Sequence, residues 1–214
     1  MTARKLPDGL QARVDWVIDA TTNEERQARY DLWARTYDDD IGSIEDYLAP
    51  LTTAKIAAQY LAPEARILDA GSGTGLSGEA LKAQGFQDIV AVDFSAGMLE
   101  IASKKGIYKS LHQFDLGQPT DFADGSFDGV FTCGTTSQMP SASLREFARL
   151  VKPGGYIVFS VWPEAFKEQG YEAILEDLEA AGRLSVIHKD APVQVLPTSE
   201  PDMFCEVWVF QVPD

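Results

Sequence analysis

The chain has 214 residues, 45% of them hydrophobic, and its formal net charge at pH 7 is -15. This length and hydrophobic content fit one globular domain with a substantial core. A surface this acidic repels phosphate backbones and anionic lipid, so neither nucleic acid nor a membrane is the expected partner.

Cysteine content and the N-terminal residues bear on the cellular compartment. Cys133 and Cys205 are the two cysteines of the sequence, too few for a disulfide framework and without the spacing of metal ligands. We therefore expect two free thiols in a reducing cytosol and no metal site. The N-terminal residues contain no apolar signal segment, and no run of about 18 apolar residues occurs. The sequence predicts a cytoplasmic protein outside the membrane.

The first sixty residues are predicted to be helical. Thr22 to Glu25 read TNEE, a capping-box pattern that predicts a helix through RQARYDLWARTYDDD. A second helix is predicted from about Ser43 to Tyr60, broken or kinked at Pro50. Four residues of the first helix share one face at spacings i, i+3, i+4 and i+7: Tyr30, Trp33, Ala34 and Tyr37. This stripe is typical both of core packing and of a functional surface.

From Arg66 onward the pattern alternates between strands and helices. The predicted strands read RILDA, DIVAVD, YKSLHQFDL, SFDGVFTCG and YIVFSVW, and the predicted helices between them read SGEALKAQG, AGMLEIASKKG and SASLREFARLVKPGG. A helix in YEAILEDLEAAG follows, and then two strand-like runs, LSVIHKD with VQVL, and MFCEVWVFQV. This alternation predicts a doubly wound, mostly parallel α/β sheet that ends in an antiparallel strand pair.

A glycine-rich turn lies between the first strand and its helix. Gly71, Gly73 and Gly75 read as GxGxG, which is typical of S-adenosylmethionine sites, whereas Gly73, Gly75 and Gly78 read as GxGxxG, which is typical of dinucleotide sites. In both cases glycine lets a ligand lie against the main chain at the opening of a helix. Asp93 ends the next strand, where an acidic residue accepts hydrogen bonds from ribose hydroxyls. The turn alone does not separate the two ligands.

Three other features favour S-adenosylmethionine. Asp69 precedes the glycines, and a carboxylate there is unfavourable beside a pyrophosphate but compatible with a sulfonium ligand that carries an ammonium group. Asp115 closes the third predicted strand, where it can accept a hydrogen bond from an adenine amino group. The chain also ends in an antiparallel pair instead of a second nucleotide-binding half. Each carboxylate alone is equally typical of a strand-end turn.

Four segments resemble, in order and spacing, the motifs of class I S-adenosylmethionine-dependent methyltransferases: ILDAGSGTG, VAVDFSAGML, FDLGQPTDFADGSFDGVF and LVKPGGYIVFSV. The likeness covers roughly residues 66–161. The upstream YDLWARTYDDDI is similar to a helix of the ubiquinone-biosynthesis-like branch and of the Williams–Beuren-region methyltransferase-like proteins. The resemblance implies a Rossmann-like, seven-stranded sheet with an antiparallel last strand, with N-terminal helices and S-adenosyl-L-methionine across the carboxyl ends of the strands.

The resemblance also implies which residues contact this cofactor. Asp93 would bind the ribose hydroxyls, Asp115 the adenine edge, and Asp69 the ammonium end through water. The other residues expected around the cofactor belong to the glycine turn and the loops that follow it: Gly71, Ser72, Gly73, Gly75, Phe94, Met98, Leu116 and Cys133.

In related enzymes a helix of this type folds over the cofactor with aromatic residues against it. We therefore expect Tyr30, Trp33 and Tyr37 to contact the cofactor, on a helix that orders as a lid when the cofactor binds. The predicted single domain has three parts: an N-terminal helical segment with the lid (residues 1–62), a cofactor-binding half (63–162), and a helix with an antiparallel strand pair (163–214).

The methyl acceptor is expected beyond the carboxyl ends of the fourth and fifth strands. Because a sulfonium methyl group is already activated, the protein mainly has to align the reactants, and the sequence predicts no fixed catalytic group. The candidate pocket residues are Cys133, Thr135, Thr136, Ser137, Gln138 and Trp162. The acidic surface favours a small-molecule acceptor, while the acceptor atom and the oligomeric state are not indicated.

Two alternatives stay open. The first is a nicotinamide-dependent oxidoreductase on the same kind of sheet, and the second is a protein of methyltransferase shape that binds S-adenosylmethionine without turnover.

Overall fold

The computed structural model describes residues 5–42, 47–197 and 200–214. Its strands are β1 (Arg66–Ala70), β2 (Asp88–Asp93), β3 (Ser110–Gln113), β4 (Phe127–Thr132), β5 (Val151–Val161), β6 (Ser185–Lys189), β7 (Val193–Leu196) and β8 (Glu200–Gln211). Its helices are α1 (Leu10–Ile18), α2 (Asn23–Trp33), α3 (Tyr37–Ile41), α4 (Leu48–Tyr60), α5 (Leu76–Ala83), α6 (Ala96–Lys104), α7 (Ser143–Leu150), α8 (Pro163–Glu168) and α9 (Tyr171–Ala180). No helix among these residues is long and apolar enough to span a bilayer.

Seven strands follow the order β3-β2-β1-β4-β5-β8-β6, and β7 pairs with β8 beside them. Strands β1 to β5 pair in parallel, whereas β8 runs antiparallel to both β5 and β6. This confirms the predicted doubly wound sheet with an antiparallel last strand. The order reverses between β1 and β4, and such a switch point opens a crevice at the carboxyl ends of the two strands.

The apolar strand sequences bury the sheet on both faces. Neighbouring residues of a strand point to opposite faces, so Ile67 packs on the side of α4 and α5 while Leu68 packs on the side of α7 and α9. Both side chains are fully buried. Two hydrophobic clusters therefore hold β1 rigidly, and the glycine turn starts from a fixed point.

The helix predicted from Thr22 begins as expected but is not continuous. The Thr22 side chain accepts a hydrogen bond from the Glu25 amide, which is half of the predicted capping box. The helix then ends at Trp33, and a turn separates it from α3. Asp40 Oδ2 accepts hydrogen bonds from Trp33 Nε1 at 2.7 Å and from Thr36 Oγ1 at 2.9 Å. The prediction of one continuous helix was wrong, because residues 34–36 form a turn that these side-chain contacts hold.

The second predicted helix also differs from the structure. Its predicted start, at Ser43, lies outside the described residues, and α4 begins at Leu48. Pro50 neither breaks nor kinks α4, because it occupies the first turn, where the backbone N–H has no partner within the helix.

Candidate functional site

A cavity of about 940 Å³, including its mouth open to solvent, lies at the carboxyl ends of β1, β2 and β4. The glycine turn and the loops after β2, β3 and β4 form its floor, and α2, α3 and the start of α4 form its cover. Thirteen residues predicted from the sequence line it: Tyr30, Tyr37, Gly71, Ser72, Gly73, Asp93, Phe94, Met98, Asp115, Leu116, Cys133, Thr135 and Gln138.

Six other residues predicted from the sequence do not line the cavity. Trp33 is 1% exposed and packs against Tyr30 and Tyr37, so it supports the two tyrosines that face the cavity. The six predicted residues outside the lining are Trp33, Asp69, Gly75, Thr136, Ser137 and Trp162.

Eleven lining residues were not predicted from the sequence: Asn23, Arg26, Tyr47, Pro50, Thr74, Leu76, Ser77, Phe114, Gly134, Met139 and Pro140. A signal existed for two of them. Asn23, Arg26 and Tyr30 stand at i, i+3 and i+7, so they share one face of α2. The aromatic stripe lies on the same face of α2, but it indicated only the aromatic residues and not Asn23 or Arg26.

The glycine turn adopts backbone conformations that side chains disfavour. Gly71, Gly73 and Gly75 have φ values of 78°, 53° and 96°. The amides of Gly71 and Ser72 both donate to the Val92 carbonyl, at 2.8 and 3.0 Å, which ties the turn to the end of β2. The turn therefore presents bare backbone beside Asp93.

Asp93 ends β2 and lines the cavity. Its Oδ2 accepts a hydrogen bond from the Gly73 amide at 2.9 Å, and its Oδ1 accepts one from the Ser95 amide at 2.8 Å. Each carboxylate oxygen has a further lone pair, so both oxygens can still accept hydrogen bonds from a ligand. Burial raises the pKa of Asp93 to about 6, although the two amides oppose that shift.

Asp69 is fully buried beneath the turn and is held by two hydroxyl groups. Its Oδ2 accepts hydrogen bonds from Ser77 Oγ at 2.6 Å and from the Tyr108 hydroxyl at 2.7 Å. Burial raises the pKa of Asp69 to about 6. Among the described residues, Asp69 Oδ1 and Ser72 Oγ are buried without a hydrogen-bond partner. The site thus holds unused polar atoms on the side of the glycine turn.

The cover is attached to every loop of the floor. One hydrogen bond joins α2 or α3 to each of the four loops: Thr74 to Asp38 after β1, Ser95 to Asp31 after β2, Asn23 to Asp115 after β3, and Tyr30 to Gln138 after β4. The N-terminal helices are therefore part of the site.

Neutral side chains line the part of the cavity between β4 and the start of α4. Cys133 Sγ accepts a hydrogen bond from Ser160 Oγ at 3.3 Å, and burial raises the pKa of this thiol to about 11. Burial also raises the pKa of Tyr37 and of Tyr47. These three groups therefore stay protonated at neutral pH and act as walls.

The family model described as a methyltransferase domain matches residues 68–159. Methyltransferase-like protein 27 of Homo sapiens is 36% identical over 162 residues, which cover 72% of this chain and 65% of that protein. Residues 68–159 therefore form a methyltransferase domain, and both matches support a class I S-adenosylmethionine-dependent methyltransferase.

Two further comparisons place this methyltransferase among its relatives. The demethylmenaquinone methyltransferase of Clavibacter sepedonicus is 39% identical over 118 residues, covering 52% of this chain and 48% of that protein. A solved Haloferax volcanii complex, of a methyltransferase with its Trm112 activator, contains a chain with TM-score 0.64 at 22% identity, covering 86% of this chain and 98% of that one. The chain spans about two thirds of the length of the human protein and about half of the length of the Clavibacter enzyme.

The cofactor of this family, S-adenosylmethionine, fits the residues present. Its ammonium group can satisfy a buried oxygen without a partner near the turn, Asp69 Oδ1 or Ser72 Oγ. Its ribose hydroxyls can donate to Asp93, and its adenine matches the apolar wall of Phe94 and Met98. Position 71 of the turn needs glycine, because a Cβ there would overlap the Thr135 side chain.

Alanine at position 71 is therefore expected to cost more than alanine at position 73. Gly71→Ala combines positive φ with overlap on Thr135, whereas the same change at Gly73 meets positive φ alone, with no atom within 4 Å. We expect Gly71→Ala to lower the free energy of unfolding by about 2 kcal/mol or more, and Gly73→Ala by about 1 kcal/mol. Urea denaturation measures both. Equal losses in the two variants would argue against the Thr135 contact, and Thr135→Ala should partly rescue Gly71→Ala.

Proposed function

We propose that this methyltransferase transfers the methyl group of S-adenosylmethionine to a small-molecule acceptor by in-line displacement. The observation that carries the proposal is the covered cavity. It is a concave site at the carboxyl ends of the strands, with its floor and its cover both supplied by this chain, as is typical of small-ligand sites. The chain's own α2 and α3 close over the loops that a large acceptor would have to approach.

Alignment and desolvation are the contributions that these residues can make. The cofactor supplies an already activated methyl group, so correct orientation can account for about 7–11 kcal/mol of the barrier. Asp93 would hold the ribose from the floor, while Tyr30 and Tyr37 would exclude water from above. The Cys133 thiol stays protonated, because its pKa is raised to about 11, and we assign it a packing role beside the acceptor.

Charge and relatives also support a small acceptor. A net charge of -15 disfavours nucleic acid. The Clavibacter relative carries in its name a small organic acceptor, demethylmenaquinone, and for this chain we propose the class alone. Cys133 and Cys205 are both buried and unpaired, which fits the reducing cytoplasm that we propose as its compartment.

Calorimetric titration with S-adenosylmethionine, S-adenosylhomocysteine and NAD tests the ligand. We expect micromolar-range binding of the first two and none of NAD at the same concentrations. Tight binding of NAD without binding of S-adenosylmethionine would overturn the proposal in favour of an oxidoreductase.

Turnover needs a separate experiment. Methyl transfer from labelled S-adenosylmethionine to phenol, amine, thiol and carbon-acid panels should give product with at least one class. Binding without transfer to any small acceptor, together with transfer to protein or RNA, would contradict a small-molecule acceptor.

A further inference from the structure

Helix α2 crosses the amino end of α6 at very short range. Asp31 Oδ1 accepts hydrogen bonds from Ser95 Oγ at 2.6 Å and from the Gly97 amide at 2.8 Å. A Cβ on Gly97 would lie 2.8 Å from Asp31 Cα and 3.0 Å from the Asp31 carbonyl oxygen. The contact therefore depends on a carboxylate on one helix and on a glycine on the other.

The same contact leads directly to the residues expected to hold the cofactor. Ser95, the N-cap of α6, accepts a hydrogen bond from the Met98 amide at 3.1 Å, and its own amide donates to Asp93 Oδ1. Beside it, the ring of Phe94 meets the Tyr30 ring edge to face, with centroids 5.8 Å apart. Asp93, Phe94 and Met98 all line the cavity, so whatever moves the amino end of α6 moves them together.

We propose that Asp31 is a positioning residue: it docks α2 on the amino end of α6 and so sets the Asp93 carboxylate and the adenine wall for S-adenosylmethionine. The proposal rests on the proposed function, since it takes the same cofactor as ligand. A carboxylate at a helix amino end is electrostatically favourable. Asp31 adds to the Ser95 cap, because it accepts from the Gly97 amide, whereas the Ser95 side chain accepts from the Met98 amide.

Asp31 also acts on Asp93 through its charge. The groups that face Asp93 are Asp31 from α2, Asp69 from β1, and the phenols of Tyr30 and Tyr37. Burial is the main cause of the raised pKa of Asp93, and the negative charge of Asp31 adds to it. Removing that charge should lower the pKa of Asp93, so that binding persists to lower pH.

Four variants of the full chain test the proposal by calorimetry with S-adenosylmethionine. Asp31→Ala removes docking and charge, and Asp31→Asn keeps an oxygen acceptor without the charge. Gly97→Ala pushes α2 away and leaves every carboxylate in the sequence. The matched control is Asp39→Ala, at an exposed aspartate of α3. In each variant, hydrogen exchange over residues 23–33 measures how well α2 is docked on α6.

We expect Asp31→Ala and Gly97→Ala to weaken binding about five- to tenfold, as for the loss of a helix cap, with reduced protection of α2. Asp31→Asn should bind nearly as well as the unmodified chain at pH 7.5, with the acid limb of its binding profile moved to lower pH. Asp39→Ala should match the unmodified chain in all respects.

Unchanged affinity in both Asp31→Ala and Gly97→Ala would overturn the proposal, even if their melting temperatures fell, because Asp31 would then be purely structural. An acid limb unmoved in Asp31→Asn would equally count against it. Failure of the unmodified chain to bind S-adenosylmethionine would instead refute the proposed function.

Discussion

Replacing Asp93 with alanine is expected to weaken S-adenosylmethionine binding about 100-fold while the circular dichroism spectrum stays native. A hydrogen bond to a charged group contributes about 1.5–3 kcal/mol. Asp93 lines the cavity, and each of its oxygens has a lone pair beyond the amide hydrogen bond that it accepts. Two ribose hydroxyls would use them. A 100-fold loss corresponds to about 2.7 kcal/mol, just below the smallest sum for two such bonds, about 3 kcal/mol.

The control lies on the same strand. Asp88 begins β2 at the opposite end of the sheet and pairs with Arg66 at 3.4 Å, so Asp88→Ala should leave binding unchanged. Asp93→Asn keeps one acceptor oxygen and should fall between the two. Calorimetry that gives the Asp93→Ala variant the affinity of the unmodified chain would remove Asp93 from the site.

Local parts of this site were predictable from the sequence. The positive φ values of the glycine turn, the place of Asp93 at the end of β2 and the Ser95 cap each follow from residues within a few positions of one another. The doubly wound, mostly parallel sheet followed from the alternation of strands and helices, because strands joined by helices pair in parallel.

The cover was less predictable because its contacts are distant in sequence. The hydrogen bonds from Ser95 to Asp31, from Asn23 to Asp115 and from Tyr30 to Gln138 join residues 64, 92 and 108 positions apart. No spacing rule reports such pairs. The resemblance to related enzymes predicted that Tyr30 and Tyr37 lie over the cofactor, but neither it nor the aromatic stripe revealed the break in the helix between them.

Asp69 shows a different limit. A motif places a residue beside a ligand by position in the sequence, yet the direction of its side chain depends on its partners. In the structure Ser77 and Tyr108 hold one carboxylate oxygen beneath the turn, and the residue lies outside the cavity lining. Its contact with the cofactor, predicted through water, remains a prediction.

Lowering the pH from 7.5 to 5 is expected to raise the free energy of unfolding of the ligand-free chain. The pKa values of Asp69 and Asp93 are each raised from 3.8 to about 6, mainly by burial. Both groups therefore bind a proton more tightly in the folded state. Their stabilising effect is complete below the unfolded pKa and is lost as the pH rises through about 6. A shift of about two units corresponds to about 3 kcal/mol for one group.

Other carboxyl groups set the lowest pH at which the free energy of unfolding still rises. Hydrogen bonds and neighbouring cations lower the pKa values of Asp40, Asp128 and Glu146, so their contributions are lost as the pH falls below about 4. Maximum stability is therefore expected near pH 5. Urea denaturation at pH 4, 5, 6 and 7.5 measures the profile, and Asp69→Asn, which carries no titrating proton, should flatten it.

The cofactor should reverse much of this pH dependence. S-adenosylmethionine brings a sulfonium and an ammonium group, and these positive charges can take the place of the protons that Asp69 and Asp93 bind in the free protein. Binding would then hold both carboxylates ionised, so the stability gained from saturating cofactor should be larger at pH 7.5 than at pH 5. S-adenosylhomocysteine lacks the sulfonium charge but keeps the ammonium group, so it should show a weaker dependence. If the cofactor instead stabilises the chain equally at both pH values, the two buried carboxylates are not the groups that respond to its charge.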